Sequence, residues 1–404
     1  MADAANRASI RRTNLGLVLR HLRAGARSRT QLAKDMGLPR PSVTLLIAEL
    51  VERGLVREGE VAREGGVGRP PLELELDGRG LCGLGVEISV DYVRAVALDL
   101  TGGELLDHRV TLDRHDDVGA VLDAVAALTL RVRTELAAEG RSLVGLTVAA
   151  PGEIDPARGA VTFAPNLGWE RVDVVGELTA RLGRDAPPVA IDNDARLGTV
   201  AEYALLAPEG IRDLVHVRGE VGIGCGIVTG GRLVVGATGF AGEMGHVRLN
   251  PEPVRCACGR FGCWETMIGV NALFADIADP GDPVLDPTRD LEDRLAEVRA
   301  RAAAGDERTR RGLDRIADGL GAGLGMLISV LDPAVIVLGG YFAHLGEFLL
   351  DRAQDVIDET VVAPRVSRCV VRLSELGFTS AARGAAQAAL DRVFADPTAL
   401  PAAR

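Results

Sequence analysis

Three of the chain's six cysteines fall within eight residues, CACGRFGC (256–263), and a histidine, His246, stands ten positions before them in GEMGH. Thiols this crowded restrict the local fold severely. Cys256 and Cys258 are separated by one residue and bridge only through a strained ring, so a disulfide answers the spacing poorly. A segment that wraps soft ligands round a metal ion answers it better. No basic and apolar leader opens the sequence, and no apolar run approaches the roughly eighteen residues that cross a bilayer. A cytoplasmic chain without membrane contact is therefore expected, and that compartment keeps thiols reduced. Cys82, Cys225 and Cys369 lie in apolar surroundings and read as core residues.

The net charge of −11 hides an asymmetry: residues 1–48 carry nine Lys+Arg against two Asp+Glu, and residues 1–80 carry fourteen against ten. A basic head precedes an acidic body. Leu15, Val18, Leu19 and Leu22 recur at helical spacing. In SRTQLAKDMG, Ser28 and Gln31 have capping-box spacing, Leu32 and Met36 face inward, and Gly37 supplies a left-handed stop. A third stripe, Val43, Leu46, Ile47 and Leu50, follows so closely that the two helices must meet at a sharp angle, as in a helix-turn-helix. The second of the paired helices enters the major groove in such a motif, and Arg40, Ser42 and Thr44 fall on its outward face. GLVRE and LELEL then flank EGGVGRPP, the pattern of a wing. Arg69, between Gly68 and Pro70, suits a narrow minor groove. The expected partner is a double-stranded DNA operator.

From Leu81 the texture changes to strands alternating with helices, the mark of a layered α/β body. VALDLTGGELL (96–106) and CGIVTGGRLV (225–234) are both strand, TGG turn, strand, 128 residues apart. TGG alone is ordinary hairpin chemistry, but the echo points to one αβ unit used twice. Such duplicated halves are the plan of actin-like kinases, with a ligand in the cleft between lobes. APGEI (150–154) and GIGCGI (222–227) read as strand-end loops whose amides approach a small ligand. Residues 280–310 read as exposed helix and loop without chemistry. Residues 381–394 read as a helix that packs back on the first lobe.

With these residues in hand the chain resembles the ROK family of repressors and sugar kinases, in its repressor branch. The resemblance runs from about Leu15 to the C-terminal helix, and its most specific motif is GEMGH followed by CACGRFGCWE. It implies an α/β fold: a winged helix-turn-helix over 1–80, then a two-lobed actin-like (ribonuclease H-like) ROK domain over 81–404. The lobes would span about 81–200 plus 381–394, and about 201–380. It implies that His246, Cys256, Cys258 and Cys263 hold one structural zinc, a donor set that suits tetrahedral Zn2+ and leaves no open position. It implies a sugar site of Gly152, Asn166, Asn193, Asp194, Glu243, His246 and Glu265, with Asp194 as general base if the protein is a kinase.

The kinase pattern Asp-x-Gly-Gly-Thr appears here as Glu87, Ile88, Ser89, Val90 and Asp91, and Gly-Thr-Gly-Ile-Gly as 220–224 with Glu220 and Val221 leading. Glycines that admit phosphate are lost and carboxylates gained, with Asp91 expected where a phosphate would lie. Gly339 and Gly340 persist where kinases hold the adenosine end, or serve only as a strand-end turn. Arg196 replaces a family asparagine, either tuning specificity or sitting on the helix surface. The expected function is a sugar-responsive repressor without enzyme activity, acting as a homodimer or homotetramer. An ATP-dependent hexokinase or N-acyl-hexosamine kinase with a DNA-binding head is the alternative from another class. A repressor that senses a protein partner is a third.

Overall fold

In the head, Ser28 Oγ accepts from the Gln31 amide (3.2 Å) while the Gln31 side chain accepts from the Ser28 amide (2.7 Å). This reciprocal pair fixes the start of a short helix, and Gly37, at φ +63°, turns the chain out of it. The structure, a computed structural model, describes residues 2–61, 72–112, 117–184, 186–362 and 368–400. The head comprises α1 (Ala2–Arg23), β1 (Arg27–Ser28), α2 (Arg29–Asp35), α3 (Arg40–Glu52), β2 (Val56–Val61) and β3 (Leu72–Leu76). The stripes Leu15, Val18, Leu19, Leu22 and Val43, Leu46, Ile47, Leu50 are buried against each other. β2 and β3 pair antiparallel, with Val56 opposite Leu76. The wing tip between them, including Arg69, lies outside the described residues.

The body is one topology written twice. Its first lobe contains β4 (Leu81–Ile88), β5 (Tyr92–Asp99), β6 (Glu104–Thr111), α4 (Val118–Ala138), β7 (Ser142–Ala150), β8 (Glu153–Asp155), β9 (Ala160–Ala164), β10 (Trp169–Val172), α5 (Val174–Leu182), β11 (Val189–Asn193) and α6 (Asp194–Leu206). The second contains β12 (Leu214–Gly219), β13 (Ile223–Thr229), β14 (Arg232–Leu233), α7 (Glu265–Ile268), α8 (Val270–Ile277), α9 (Leu291–Ala303), α10 (Glu307–Leu331), β15 (Val335–Gly340), α11 (Tyr341–His344), α12 (Gly346–Thr360), β16 (Val370–Leu373) and α13 (Ser380–Ala395). The sheet orders are β11-β7-β4-β5-β6 and β14-β13-β12-β15-β16, so β4, β5, β6, β7 and β11 correspond to β12, β13, β14, β15 and β16. The two TGG turns occupy equivalent hairpins, β5–β6 and β13–β14.

The last helix of each unit crosses to the other unit's sheet. α13 packs on β4 and β7, and α6 packs on β12 and β13. The expected division at residue 200 thus falls inside α6. Glycines make these approaches possible: a Cβ at Gly83 or Gly85 of β4 would strike α13, and one at Gly224 or Gly226 of β13 would strike α6. GIGCGI is therefore mainly strand, not a loop, its alternate glycines lying under a helix. α6 and α13 also touch each other, and a Cβ at Gly384 would collide with the Leu197 carbonyl oxygen.

The 280–310 segment also departs from expectation. α9 buries Leu291, Leu295, Val298 and Ala302 in the second lobe's core. Its charges hid this face, because Arg294 is itself buried over the Phe274 ring, 4.4 Å from the centroid. Gly339 and Gly340 end β15, with Gly340 at φ +61°.

On α6, Glu202 is buried and accepts from Ser374. Burial pushes its carboxyl up to about 7, with Ser374 opposing and Glu375 assisting. A folded-state value above the unfolded one means that stability falls as pH rises from about 4.5 through 7. Glu202→Gln should therefore raise the thermal midpoint at pH 8, by the equivalent of roughly 1–3 kcal/mol, and leave it nearly unchanged at about pH 3.5, below the unfolded value.

Candidate functional site

Gly152, Asn166, Asn193, Asp194, Glu243, His246 and Glu265 all line the partly open cleft between the lobes. Asn193 ends β11 and caps α6: its Oδ1 accepts from the Arg196 amide (3.0 Å) and its Nδ2 donates to the Gly152 carbonyl (3.0 Å). Both polar ends are engaged within the protein, so Asn193 shapes the pocket wall. Asp194 follows at the first position of α6. One of its carboxylate oxygens accepts from the Ala195 amide (2.8 Å), the other from Arg218 Nη1 (3.3 Å). Asn166, in the turn between β9 and β10, makes no hydrogen bond among the described residues and leaves its amide available. Gly152 sits at φ +91°, and a Cβ there would run into β9 at Ala164.

Across the cleft, Glu265 opens α7 and accepts from the Ile223 amide (3.2 Å). Its other oxygen lies 3.3 Å from Cys256 Sγ. Glu243 stands half-exposed at the rim, 4.0 Å from His246 Nε2. The opposite ring nitrogen of His246 faces the thiols, with Nδ1 3.6 Å from Cys256 Sγ. The ligand atoms of His246, Cys256, Cys258 and Cys263 all lie within 4.8 Å of one another. Cys258 and Cys263 Sγ are 3.7 Å apart, close to the ~3.7 Å edge that bonds of ~2.3 Å to a tetrahedral metal produce. Three thiols and an imidazole thus fit a four-coordinate metal with no open position. Gly259 (φ +85°) and Gly262 (φ +74°) let the loop wrap this point. The fully buried Trp264 ties the loop to α10 by donating to the Gly319 carbonyl (2.8 Å). The loop therefore fixes both His246 and Glu265 at the pocket edge.

The other half of the cleft, where the resemblance places phosphate loops, is occupied by the protein's own charges. Arg218 on β12 is 3 % exposed and pairs with Glu87 of β4, itself 1 % exposed, as well as with Glu220 and Asp194. Tyr92 Oη lies 3.2 Å from an oxygen of both Glu87 and Glu220, and Ser89 donates to Glu220 (3.1 Å). Burial, countered by Arg218 and reinforced by the neighbouring carboxylates, pushes Glu220 up to about 8. Burial likewise raises Glu87. Burial works against the charge of Arg218, yet Glu220 and Glu87 hold its guanidinium protonated. Between the lobes, Arg109 of β6 reaches Asp290 (2.5 Å) and Glu292 (3.1 Å) of the second lobe and stacks over Tyr92. Asp91 departs from expectation: it does not line the cleft but is held among Arg109, Arg294 and Asp290.

Arg218 was not foreseen from sequence. Its signal was a single arginine inside a strand whose only other polar side chain is His216, LVHVRG. Arg196 is 4 % exposed, bonds Asp192 and donates to the Gly239 carbonyl (3.1 Å), so it lines the pocket and is not on the helix surface. On α3, Arg40, Ser42 and Thr44 are exposed, but Thr44 Oγ1 donates to the Arg40 carbonyl (3.0 Å) of its own helix. Among the described residues, no helix is long and apolar enough to cross a membrane.

Comparison with known proteins places these features. The ROK family model matches residues 83–392, and the IclR helix-turn-helix domain model matches residues 14–60. The chain is 25% identical over 360 residues to the xylose repressor of Caldicellulosiruptor bescii, covering 86% of this chain and 88% of that one. It is 28% identical over 362 residues to the DNA-binding transcriptional dual regulator NagC of Escherichia coli, covering 88% and 87%. In fold it matches a ROK family transcriptional regulator, a homolog of the E. coli MLC protein, with a TM-score of 0.76 at 24% identity over 96% of this chain and 97% of that one. It also matches a ROK family glucokinase from Streptomyces griseus in complex with glucose and AMPPNP, with a TM-score of 0.64 at 27% identity over 76% and 98%. The chain belongs to the ROK family, with a helix-turn-helix domain ahead of its kinase-like body.

Proposed function

We propose that this protein is a sugar-responsive DNA-binding transcriptional regulator, a repressor released from its operator when a sugar binds between the lobes, and that it does not phosphorylate its ligand. The observation that carries the reading is Arg218. A phosphoryl-transfer site needs backbone donors and metal ions at the transferred phosphate, and a free carboxylate at the attacking hydroxyl. Here a buried guanidinium ties Glu87, Glu220 and Asp194 together in that space. The similarity to proteins named xylose repressor supports the regulatory reading.

The sugar half keeps its polar groups. In this reading Asn166, Asp194, Glu243 and Glu265 pair with ligand hydroxyls, His246 offers Nε2 to one more, and Asn193 and Gly152 form the wall. A buried hydroxyl needs such partners. Zinc is the metal that the three thiolates and His246 Nδ1 would hold; bound there, it would stiffen the loop that aims His246 and Glu265. Arg40 and Ser42 of α3, and Arg69 in the wing, would meet the operator. A homodimer or homotetramer supplies the paired heads that a two-fold operator requires.

The discriminating experiment combines three measurements on the purified protein. A screen of pentoses, hexoses and hexosamines, with and without 6-phosphates, should find a ligand that raises the thermal midpoint. That ligand should abolish a gel shift with promoter DNA, and a coupled assay should detect no ADP release. Brisk ATP turnover with any of these sugars would overturn the reading. Cys258→Ser should lose one equivalent of zinc by elemental analysis and weaken sugar binding several-fold through the loosened His246 and Glu265. Arg218→Ala strands three acids without their cation and should cost about 3–5 kcal/mol in unfolding free energy, measured by urea titration of the lobes.

A further inference from the structure

On α3 the buried residues Val43, Leu46, Ile47 and Leu50 define an inward face. At 100° per residue the direction opposite them is held by Glu52 at the C-terminal end and, ahead of it, by Pro41, Leu45 and Ala48, with Ser42 and Thr44 displaced to either side. All three are exposed, and Leu45 is 72 % exposed, among the highest values for a large apolar side chain among the described residues. From its start to Ala48, the midline of the helix expected to enter the groove therefore carries only carbon, and the carboxylate of Glu52 follows it in the last turn. Thr44, whose hydroxyl bonds its own helix, adds a methyl group at the edge.

A bare leucine at this place has a physical counterpart in duplex DNA. The major-groove edge of thymine offers a C5-methyl, which an apolar side chain can cover, whereas guanine and adenine edges call for donors that this midline does not have. The surroundings are those of a polyanion's partner: Lys34 and Arg40, at the two sides of the turn, make no ion pair among the described residues, and residues 1–48 carry nine cations against two anions. We infer that Leu45, flanked by Pro41 and Ala48, reads thymine methyl groups in the major groove of each operator half-site, so that the operator carries an A·T pair opposite this residue. The inference rests on the DNA-binding reading and deepens it. Its sequence signal was the apolar pair Pro41 and Leu45, four apart on the outward side of a helix whose inward stripe was already complete.

The test begins with random duplexes selected on the full-length protein without added sugar. In the best duplex each thymine is replaced singly by deoxyuridine, which removes only the methyl group, and affinity is read by fluorescence anisotropy for the parent, Leu45→Ala and Leu45→Gln. The parent should lose about three- to five-fold at one or two thymines per half-site, near the effect of burying one methyl. Leu45→Ala should bind the unmodified duplex several-fold more weakly and be indifferent to those same replacements, with its salt dependence unchanged. Leu45→Gln should shift selection toward a different base at that position. As an exposed residue, Leu45→Ala should keep the parent's thermal midpoint and oligomeric state. A selected duplex whose thymine methyls are all dispensable, or whose methyl effect survives in Leu45→Ala, overturns the assignment while leaving DNA binding intact. A change in oligomeric state in Leu45→Ala overturns it in favour of a contact between copies of the chain. Failure to enrich any duplex overturns the regulator reading itself.

Discussion

Two helices exchanged between two sheets hold this molecule together. Because α6 lies on the second sheet and α13 on the first, neither lobe is complete without a segment from the other's repeat. The exchange depends on bare backbone. Gly83 and Gly85 under α13, Gly224 and Gly226 under α6, and Gly384 at the crossing are positions where one added carbon would push layers apart. Close packing of this kind has little slack, and interiors at crystal-like density respond to change by discrete repacking, not gradual yielding. The placement of Asn193 and Asp194 follows from it, since both sit where β11 delivers the chain into α6.

The cleft shows how one scaffold serves two kinds of chemistry. The half proposed to hold a sugar keeps carboxylates and amides around its space. The opposite half is closed by an internal ion cluster whose members come from both lobes. A single cation among three carboxylates is a poor source of net stability, given what each charge loses on leaving water. Its clearest structural effect is geometric, since Glu87 and Arg218 fix the lobes' mutual position at the point where a kinase would open for nucleotide. Function here is set by side chains grafted onto a shared fold.

The features legible in the sequence were local ones. Ser28 with Gln31, the TGG turns and the thiol loop each declare themselves within a few residues, because the physics that fixes them acts over one turn. What escaped notice depends on distant partners. Glu87 and Arg218 are 131 positions apart, and nothing near either residue announces the other. The glycines of GIGCGI read as a loop because their reason, the approach of α6, lies on another element. The apolar face of α9 was masked by its charges, one of which, Arg294, is itself buried. Asp91 was assigned to the cleft by resemblance, which carries residue types across but not the direction in which a turn aims them.

The seat of the head has a mechanical meaning. The head does not hang from a tether: on α1 Gly16 admits the Phe394 carbonyl and Arg23 pairs with Asp391 (2.7 Å), and Arg53, just after α3, donates to the Leu400 carbonyl (2.8 Å). Val96, Leu98 and Leu100 of the first sheet share their apolar cluster with Leu15 and Leu19. α1, which packs on α3, is thus bolted to the same α13 that rests on α6, and α6 begins inside the cleft. A rotation at that helix crossing would therefore carry the head with it, and its displacement would grow with distance from the crossing, without any joint having to loosen.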